Sequence, residues 1–323
     1  MCTAISFVTK NHYFGRNLDL EYTYNETVTI TPRLYPLHFR YEKDINDHYA
    51  LIGMATVERN YPLYYDATNE KGLSIAALNF PGNAVYRQPK KGFLNIAPFE
   101  FIPWVLCQCD NVSEASLLLK KTNITNTDFS SKFPVSPLHW MISDSKESIV
   151  AEPVSSGLRI YQNPVGVLTN NPPFDFHMYN LSNYLNLTRE EPINRLCSDL
   201  DLKPYSRGTG SIGLPGDLSS ASRFIRAAFT KLNSICDASE SASISQFFHI
   251  LGSVAQQRGC VLVGEKFEKT VYSSCCNTNT GVYYYTTYEN SQITAVNMHH
   301  QPLDSCALSS FPLISGQQIL HQN

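Results

Sequence analysis

Cys2 is preceded only by Met1 in this 323-residue chain. An aminopeptidase that removed Met1 would leave a thiol and a free α-amine on one residue. A thiolate is a nucleophile where a thiol is not. An α-amine has an ordinary pKa of about 7.7–8.0 and a free cysteine about 8.5. The chain terminus can therefore act as general base for its own side chain near neutral pH. The plainer reading makes Cys2 a chance neighbour of the start residue. The rest of the chain decides between the two.

A terminal nucleophile has to be held by structure. Residues 3–9 read as a strand, Lys10, Asn11 and His12 as a tight turn, and residues 13–18 as the returning strand. That hairpin brings Arg16 and Asp19 back toward Cys2. Further strands are predicted at 27–31, 50–57 and 73–79, with a surface excursion at 35–47 and a loop or edge segment at 61–65. Residues 99–121 carry helical spacing, broken at 110–113. Strands follow at 138–143, 148–153, 159–161 and 166–169, then a short helix within 174–185. Residues 186–207 read as a polar excursion. Helices at 219–235 and 243–257 precede strands at 270–274, 281–288 and 292–298. No regular βαβ alternation appears, so antiparallel sheets with helices on their outer faces are expected rather than a doubly wound sheet.

Composition narrows the function classes. Hydrophobic residues make up 43% of the chain, enough for a large core. The net charge is −3 with no basic block, which argues against nucleic acid or an anionic membrane as the main partner. No apolar run reaches the roughly 18 residues of a membrane span, and residues 1–20 contain no apolar signal segment. A cytoplasmic, soluble protein is expected. The nine cysteines are an odd number, and with no secretory signal they do not suggest a disulfide framework. Cys107 with Cys109, Cys275 with Cys276, and His299 with His300 lack the partners that would complete a metal site.

Gly208, Gly210 and Gly213 match GxGxxG, but Leu214, Pro215, Gly216 and Asp217 follow, which is loop chemistry and not a helix opening on a phosphate. No P-loop, HExxH or GxSxG motif occurs. What remains is a set of polar residues in apolar company. Asn79 ends the run Ile75 to Phe80, Asn170 ends Val167 to Thr169, and Arg223 stands at a helix start. Each taken alone reads as a turn former or a solvent-facing side chain.

Together with Cys2 they carry a resemblance. The segments Met1-Cys2-Thr3-Ala4, Phe14-Gly15-Arg16-Asn17-Leu18-Asp19, Asn69-Glu70-Lys71-Gly72-Leu73, Leu78-Asn79-Phe80-Pro81, Leu138-His139-Trp140, Gly166 to Pro172, Gly213 to Asp217, Ser222-Arg223-Phe224 and Tyr283 to Asn290 run nearly end to end. The chain resembles the conjugated bile salt hydrolases of the choloylglycine hydrolase family, within the N-terminal-nucleophile hydrolases. The resemblance implies an α+β fold, a four-layer αββα sandwich of two antiparallel sheets flanked by helices. It implies one domain over residues 1–323, mature from residue 2, and often a homotetramer, for which the excursion at 186–207 and the loop after it are the natural candidates for contact.

The implied activity is hydrolysis of the amide of glycine- or taurine-conjugated bile salts, with no metal or cofactor. The implied catalytic set is Cys2, Arg16, Asp19, Asn79, Asn170 and Arg223. In it the Cys2 amine moves the proton, Arg16 favours the thiolate, Asp19 orients the amine, and Asn170 with the Asn79 N–H meets the oxyanion. Arg223 stabilises charge or holds the polar network. Leu18, Tyr24, Tyr65, Asn79 and Leu138 are expected to line an apolar substrate pocket. Ser74 and Ala77 stand where many relatives have Gly, which would narrow the space beside the Asn79 strand. Related penicillin V acylases commonly carry Tyr at the Asn79 position, so Asn79 favours bile salts. Two alternatives remain: penicillin V acylase or another N-acyl amidase on the same site, and a non-catalytic steroid-binding protein.

Overall fold

The structure is a computed structural model that describes residues 1–323. Its strands are β1 (Cys2–Val8), β2 (His12–Leu20), β3 (Thr27–Thr31), β4 (Leu51–Glu58), β5 (Tyr61–Asn69), β6 (Ser74–Asn79) and β7 (Leu94–Ile96). Helices α1 (Phe101–Leu106) and α2 (Val112–Leu119) follow, then β8 (Thr122–Ile124), β9 (Leu138–Ser143), β10 (Ser148–Val154), β11 (Gly157–Gln162) and β12 (Val167–Leu168). Next come α3 (Phe174–Leu181), α4 (Ser220–Asn233) and α5 (Glu240–Gly252). The chain ends with β13 (Leu262–Val263), β14 (Lys266–Phe267), β15 (Lys269–Asn277), β16 (Val282–Thr287), β17 (Asn290–Asn297) and β18 (Ser309–Pro312).

Two large sheets dominate. One has six strands in the order β12-β1-β2-β15-β16-β17, the other eight in the order β11-β10-β9-β6-β5-β4-β3-β18. Every pairing within them is antiparallel. The side-chain period of two sorts the eight-stranded sheet into two faces. On β6, Ala76 and Leu78 join one apolar cluster, which also holds Ala4, Phe14, Phe224 and Phe247. Ile75 and Ala77 join the other, with Phe101, Trp104 and Val105. One face thus packs on the six-stranded sheet and the other on α1 and α2, while α4 and α5 cover the far side of the six-stranded sheet. This is the four-layer αββα sandwich.

Local chemistry sets the element ends. Asn111 caps α2 by accepting from the Glu114 N–H, and Ser219 and Ser239 cap α4 and α5 in the same way. Pro103 lies in the first turn of α1, where its missing N–H breaks no helical bond. Gly15 has no room for a side chain, because a Cβ there would sit 2.0 Å from the Ser274 carbonyl oxygen. That contact keeps β2 tight against β15 beside Arg16.

One expectation needs correction, and one edge strand escaped the sequence reading. Of the two readings of residues 61–65, loop or edge segment, the second holds: they are the first half of β5 and pair with β4 alone. Pro62 is accommodated because β5 pairs with β6 only at residues 66–68, so no ladder is broken on that side. The excursion at 35–47 buries Tyr35, Leu37 and Phe39 against the α1 side of the core and does not simply cover the surface. The strand β18, which extends the sheet edge beside β3, was not expected at all. The GxGxxG segment is loop and a short 3-10 turn, and all nine cysteines are free thiols. No helix is long and apolar enough to cross a membrane.

Candidate active site

Cys2 opens β1 and pairs with Leu18 across the hairpin, and its side chain is buried. The ladder runs one residue further, since the Asp19 N–H donates to the Met1 carbonyl at 2.9 Å. The Met1 amine donates to the Asp19 carbonyl at 2.7 Å and forms an ion pair with Glu268. The Met1 and Asp19 backbone groups thus extend the ladder past Cys2, while the Cys2 N–H and carbonyl turn away from it to side chains, Asn170 and Arg223.

Arg16 pairs with Ala4 on the same hairpin and is fully buried. It fills a fault in the larger sheet. Beyond Asp66 and Ala76 the β5–β6 ladder stops, and the Arg16 guanidinium takes the freed carbonyls of Tyr65, at 3.1 Å, and Ala77. Its second terminal nitrogen has no protein partner. Burial works against the guanidinium charge, but attraction from Cys2 and then from Tyr272, Asp66 and Asp19 outweighs it, so the pKa lies above its ordinary value. A permanent cation therefore stands beside the thiol.

The same fault exposes Asn79. The Phe80 N–H donates to Pro137, which fixes the alternation of the β6–β9 ladder. Asn79 lies opposite Leu138 in the non-hydrogen-bonded pair, so its N–H and C=O both face away from β9. Its carbonyl accepts from Asn170 Nδ2 at 2.7 Å. Asn170 Oδ1 accepts from the Cys2 N–H and from Arg223 Nη2, each at 2.7 Å. One N–H of the Asn170 amide remains free to donate.

Arg223, in the first turn of α4, is fully buried and does not face solvent. It donates to the Cys2 carbonyl, to Thr3 Oγ1 at 2.6 Å and to Leu218 O at 3.1 Å. Its Nη1 lies 4.0 Å from Asp19 Oδ2. Asp19 accepts from Thr270 Oγ1 at 2.6 Å, and its Oδ2 is buried without a hydrogen-bond partner. Burial raises the Asp19 pKa, with Arg223 and the chain amine opposing it.

Several supporting residues escaped the sequence reading. His139 Nε2 holds the Thr169 carbonyl at 2.9 Å and His177 Nε2 holds that of Asn170 at 2.9 Å, so two buried imidazoles fix the backbone on each side of the Asn170 amide. Glu152 in turn orients His139 through Nδ1 at 3.0 Å. Asp66 collects Tyr272 and Tyr283, each at 2.7 Å, and Ser274 behind Arg16. Only the odd presence of Asp66 in an otherwise apolar strand could have marked it.

Cys2 and Arg16 line a cavity of about 540 Å³. Leu18, Tyr24, Tyr65, Asn79 and Leu138 line it too, while Asp19, Asn170 and Arg223 lie behind its surface. Ala77 also reaches the cavity, but Ser74 does not, its hydroxyl being bonded to Thr68. Much of the wall comes from segments the sequence reading passed over, namely Phe129, residues 132–137 and Val263, and from Phe99 and Ile102, which were read only as helix. The run Phe129 to Pro137, rich in aromatic and Pro residues, was the available signal. Glu268 was also missed, a buried carboxylate on the same cavity.

The layered fold with a cysteine opening its first strand is the arrangement of the N-terminal-nucleophile hydrolases. Residues 2–311 match the linear amide C–N hydrolases of the choloylglycine hydrolase family. The chain is 56% identical to a bile salt hydrolase/transferase of Lactiplantibacillus plantarum over 98% of both chains, and 40% identical to one of Clostridium perfringens over 100% of both. A crystal structure of a conjugated bile acid hydrolase variant from Clostridium perfringens superposes with a TM-score of 0.92 at 38% identity, covering 100% of both chains. A penicillin V acylase from Agrobacterium tumefaciens, 17% identical over 97% of this chain and 92% of its own, shares the fold at a TM-score of 0.76. The chain belongs to the choloylglycine hydrolase family.

Proposed function

We propose that this protein hydrolyses the amide joining a bile acid to glycine or taurine, with Cys2 as nucleophile once Met1 is removed. The observation that carries the reading is one cavity lined both by Cys2 with Arg16 and by apolar and aromatic walls. A steroid nucleus is a rigid hydrocarbon, and an apolar pocket with few convergent polar groups suits it. The names of the bacterial relatives support the same substrate class.

The chemistry follows from the residues. The freed Cys2 amine takes the thiol proton, and Sγ attacks the amide carbon. Arg16 stabilises the thiolate. The carbonyl oxygen gains charge and is met by the Asn79 N–H and the spare Asn170 amide N–H, each such donor being worth about 2.7–4 kcal/mol. The Cys2 amine then protonates the leaving nitrogen, the C–N bond breaks, and a thioester remains. A water gives a proton to the same amine, attacks the thioester and restores the thiol. Asp19 and Arg223 keep the amine and Asn170 in register.

Cys2→Ser assayed on glycocholate, taurocholate and penicillin V tests this reading. Near-complete loss on all substrates is expected, with the parent preferring the bile salts. A parent that turns over penicillin V alone would favour the acylase reading. One that binds glycocholate without releasing glycine would favour a binding protein. We further propose a homotetramer and a cytoplasmic location. Leu196 and Tyr205 within the polar excursion, and Leu185 just before it, are each more than 80% exposed, which supports a contact there. Light scattering in solution checks the assembly, and cell fractionation checks the location.

A further inference from the structure

The Met1 amine occupies a formed site. It donates to the Asp19 carbonyl at 2.7 Å and pairs with Glu268, whose side chain is only 6% exposed. Glu268 immediately precedes β15, whose Lys269 and Thr270 pair with Leu20 and Asp19, and its N–H donates to Val261 O at 2.9 Å. The sheet thus fixes the backbone that carries this carboxylate, whose own hydrogen-bond partner is the Met1 amine. Met1 and Glu268 both line the cavity that Cys2 lines. Burial raises the Glu268 pKa, and the chain amine is the first influence opposing that rise.

Removal of Met1 takes away the amine that Glu268 holds. The Asp19 carbonyl and the Glu268 carboxylate then face a position one residue from the Cys2 nitrogen, about 3.3–3.6 Å along an extended chain. A leaving nitrogen has to stand within hydrogen-bond reach of the Cys2 amine to receive its proton. We propose that Glu268 and the Asp19 carbonyl form a subsite for a primary ammonium: the leaving nitrogen takes one proton from the Cys2 amine as the C–N bond breaks, and the neutral amine so formed takes a second from water to become that ammonium. In the unprocessed chain Met1 imitates that product and blocks the subsite. The charge of Glu268 also turns the acidic end of the departing amino acid away from Cys2. This inference rests on the preceding reading that Met1 is removed.

The test uses glycinamide, a primary ammonium with no carboxylate, titrated by saturation-transfer NMR onto full-length protein beginning at Cys2. Chain still carrying Met1 is the control. The processed protein is expected to bind glycinamide and the Met1-bearing chain not to. Glu268→Gln should weaken binding about tenfold, the size of one lost charge-assisted hydrogen bond, and Glu268→Asp should recover part of it. The melting temperature of each variant reports whether it is folded. Equal binding to the two chain forms, or unchanged binding in a folded Glu268→Gln variant, would overturn the proposal. So would intact binding with a shifted pH–rate profile, because Glu268 would then serve the Cys2 amine itself. A parent that binds glycinamide but does not hydrolyse glycocholate would leave the subsite standing and defeat the substrate reading.

Discussion

The polar network behind Cys2 and the apolar wall in front of it are built by different means. Cys2, Arg16, Asp19 and Asn79 sit on strands, Arg223 on a helix, and Asn170 two residues after β12. Their hydrogen bonds run mostly to backbone groups: Arg16 to Tyr65 and Ala77, Arg223 to Cys2 and Leu218, and Asn170 to Asn79. Much of the wall comes from connecting segments, including Tyr22, Tyr24, Phe129 and Phe133. A network tied to backbone cannot move without unmaking sheet pairings. A loop wall of aromatic rings can be exchanged residue by residue. Chemistry is therefore held constant by the sheets, and selectivity is left to the loops.

The comparison breaks if the two regions respond alike to substitution. The largest effect is expected for Cys2→Ala, a loss of at least about a thousandfold in kcat, because a nucleophile has no substitute. Asn170→Ala should cost about a hundredfold to a thousandfold in kcat, as for a lost oxyanion donor. It should also lower the melting temperature, since Arg223 and the Cys2 N–H lose their acceptor. Steady-state kinetics and thermal melting together check both parts.

Phe129→Ala should act on the other region. It should raise KM by roughly tenfold, for the loss of one aromatic contact worth about 1–3 kcal/mol, with kcat far less affected. A fall in kcat with KM unchanged would mean that the wall is part of the machinery. Glu152→Gln sharpens the boundary from behind. It loosens His139, which holds the Thr169 carbonyl, and should lower kcat severalfold without raising KM. An effect on KM alone would remove Glu152 from the positioning network.

The smallest expected effect is on stability. The folded Asp19 pKa is raised by burial, so the native state keeps this proton to higher pH than the unfolded chain. The stability linked to Asp19 is complete below the ordinary carboxylate pKa and is lost as pH rises through the folded value. Asp19→Asn should therefore melt a few degrees higher than the parent at neutral pH while losing activity. The difference should shrink as pH falls toward the carboxylate range. A variant that melts lower at neutral pH would show the Arg223 attraction to outweigh burial.

The same division explains what could be read from the chain alone. The Cys2–Asp19 hairpin was legible because strand and turn signals are local, and Asn79, Asn170 and Arg223 because they lie in motif segments. The β5–β6 fault that receives Arg16 was not legible. It depends on which strands become neighbours, a long-range fact that Tyr61 to Tyr65 do not announce. His139 was visible within the Leu138-His139-Trp140 segment, but its role depends on Glu152 and Thr169 across the fold. Glu268 was not legible at all: it follows Glu265, Lys266 and Phe267, which are exposed in the fold, and nothing local marks it as buried.

The direct measurement is turnover of glycocholate by two preparations of the same chain, one starting at Cys2 and one retaining Met1, each verified by intact mass. Activity should track the fraction of chains that start at Cys2 and vanish when Met1 is retained, because an amide nitrogen cannot accept the thiol proton. Full turnover by the Met1-bearing chain would contradict the role of the terminal amine.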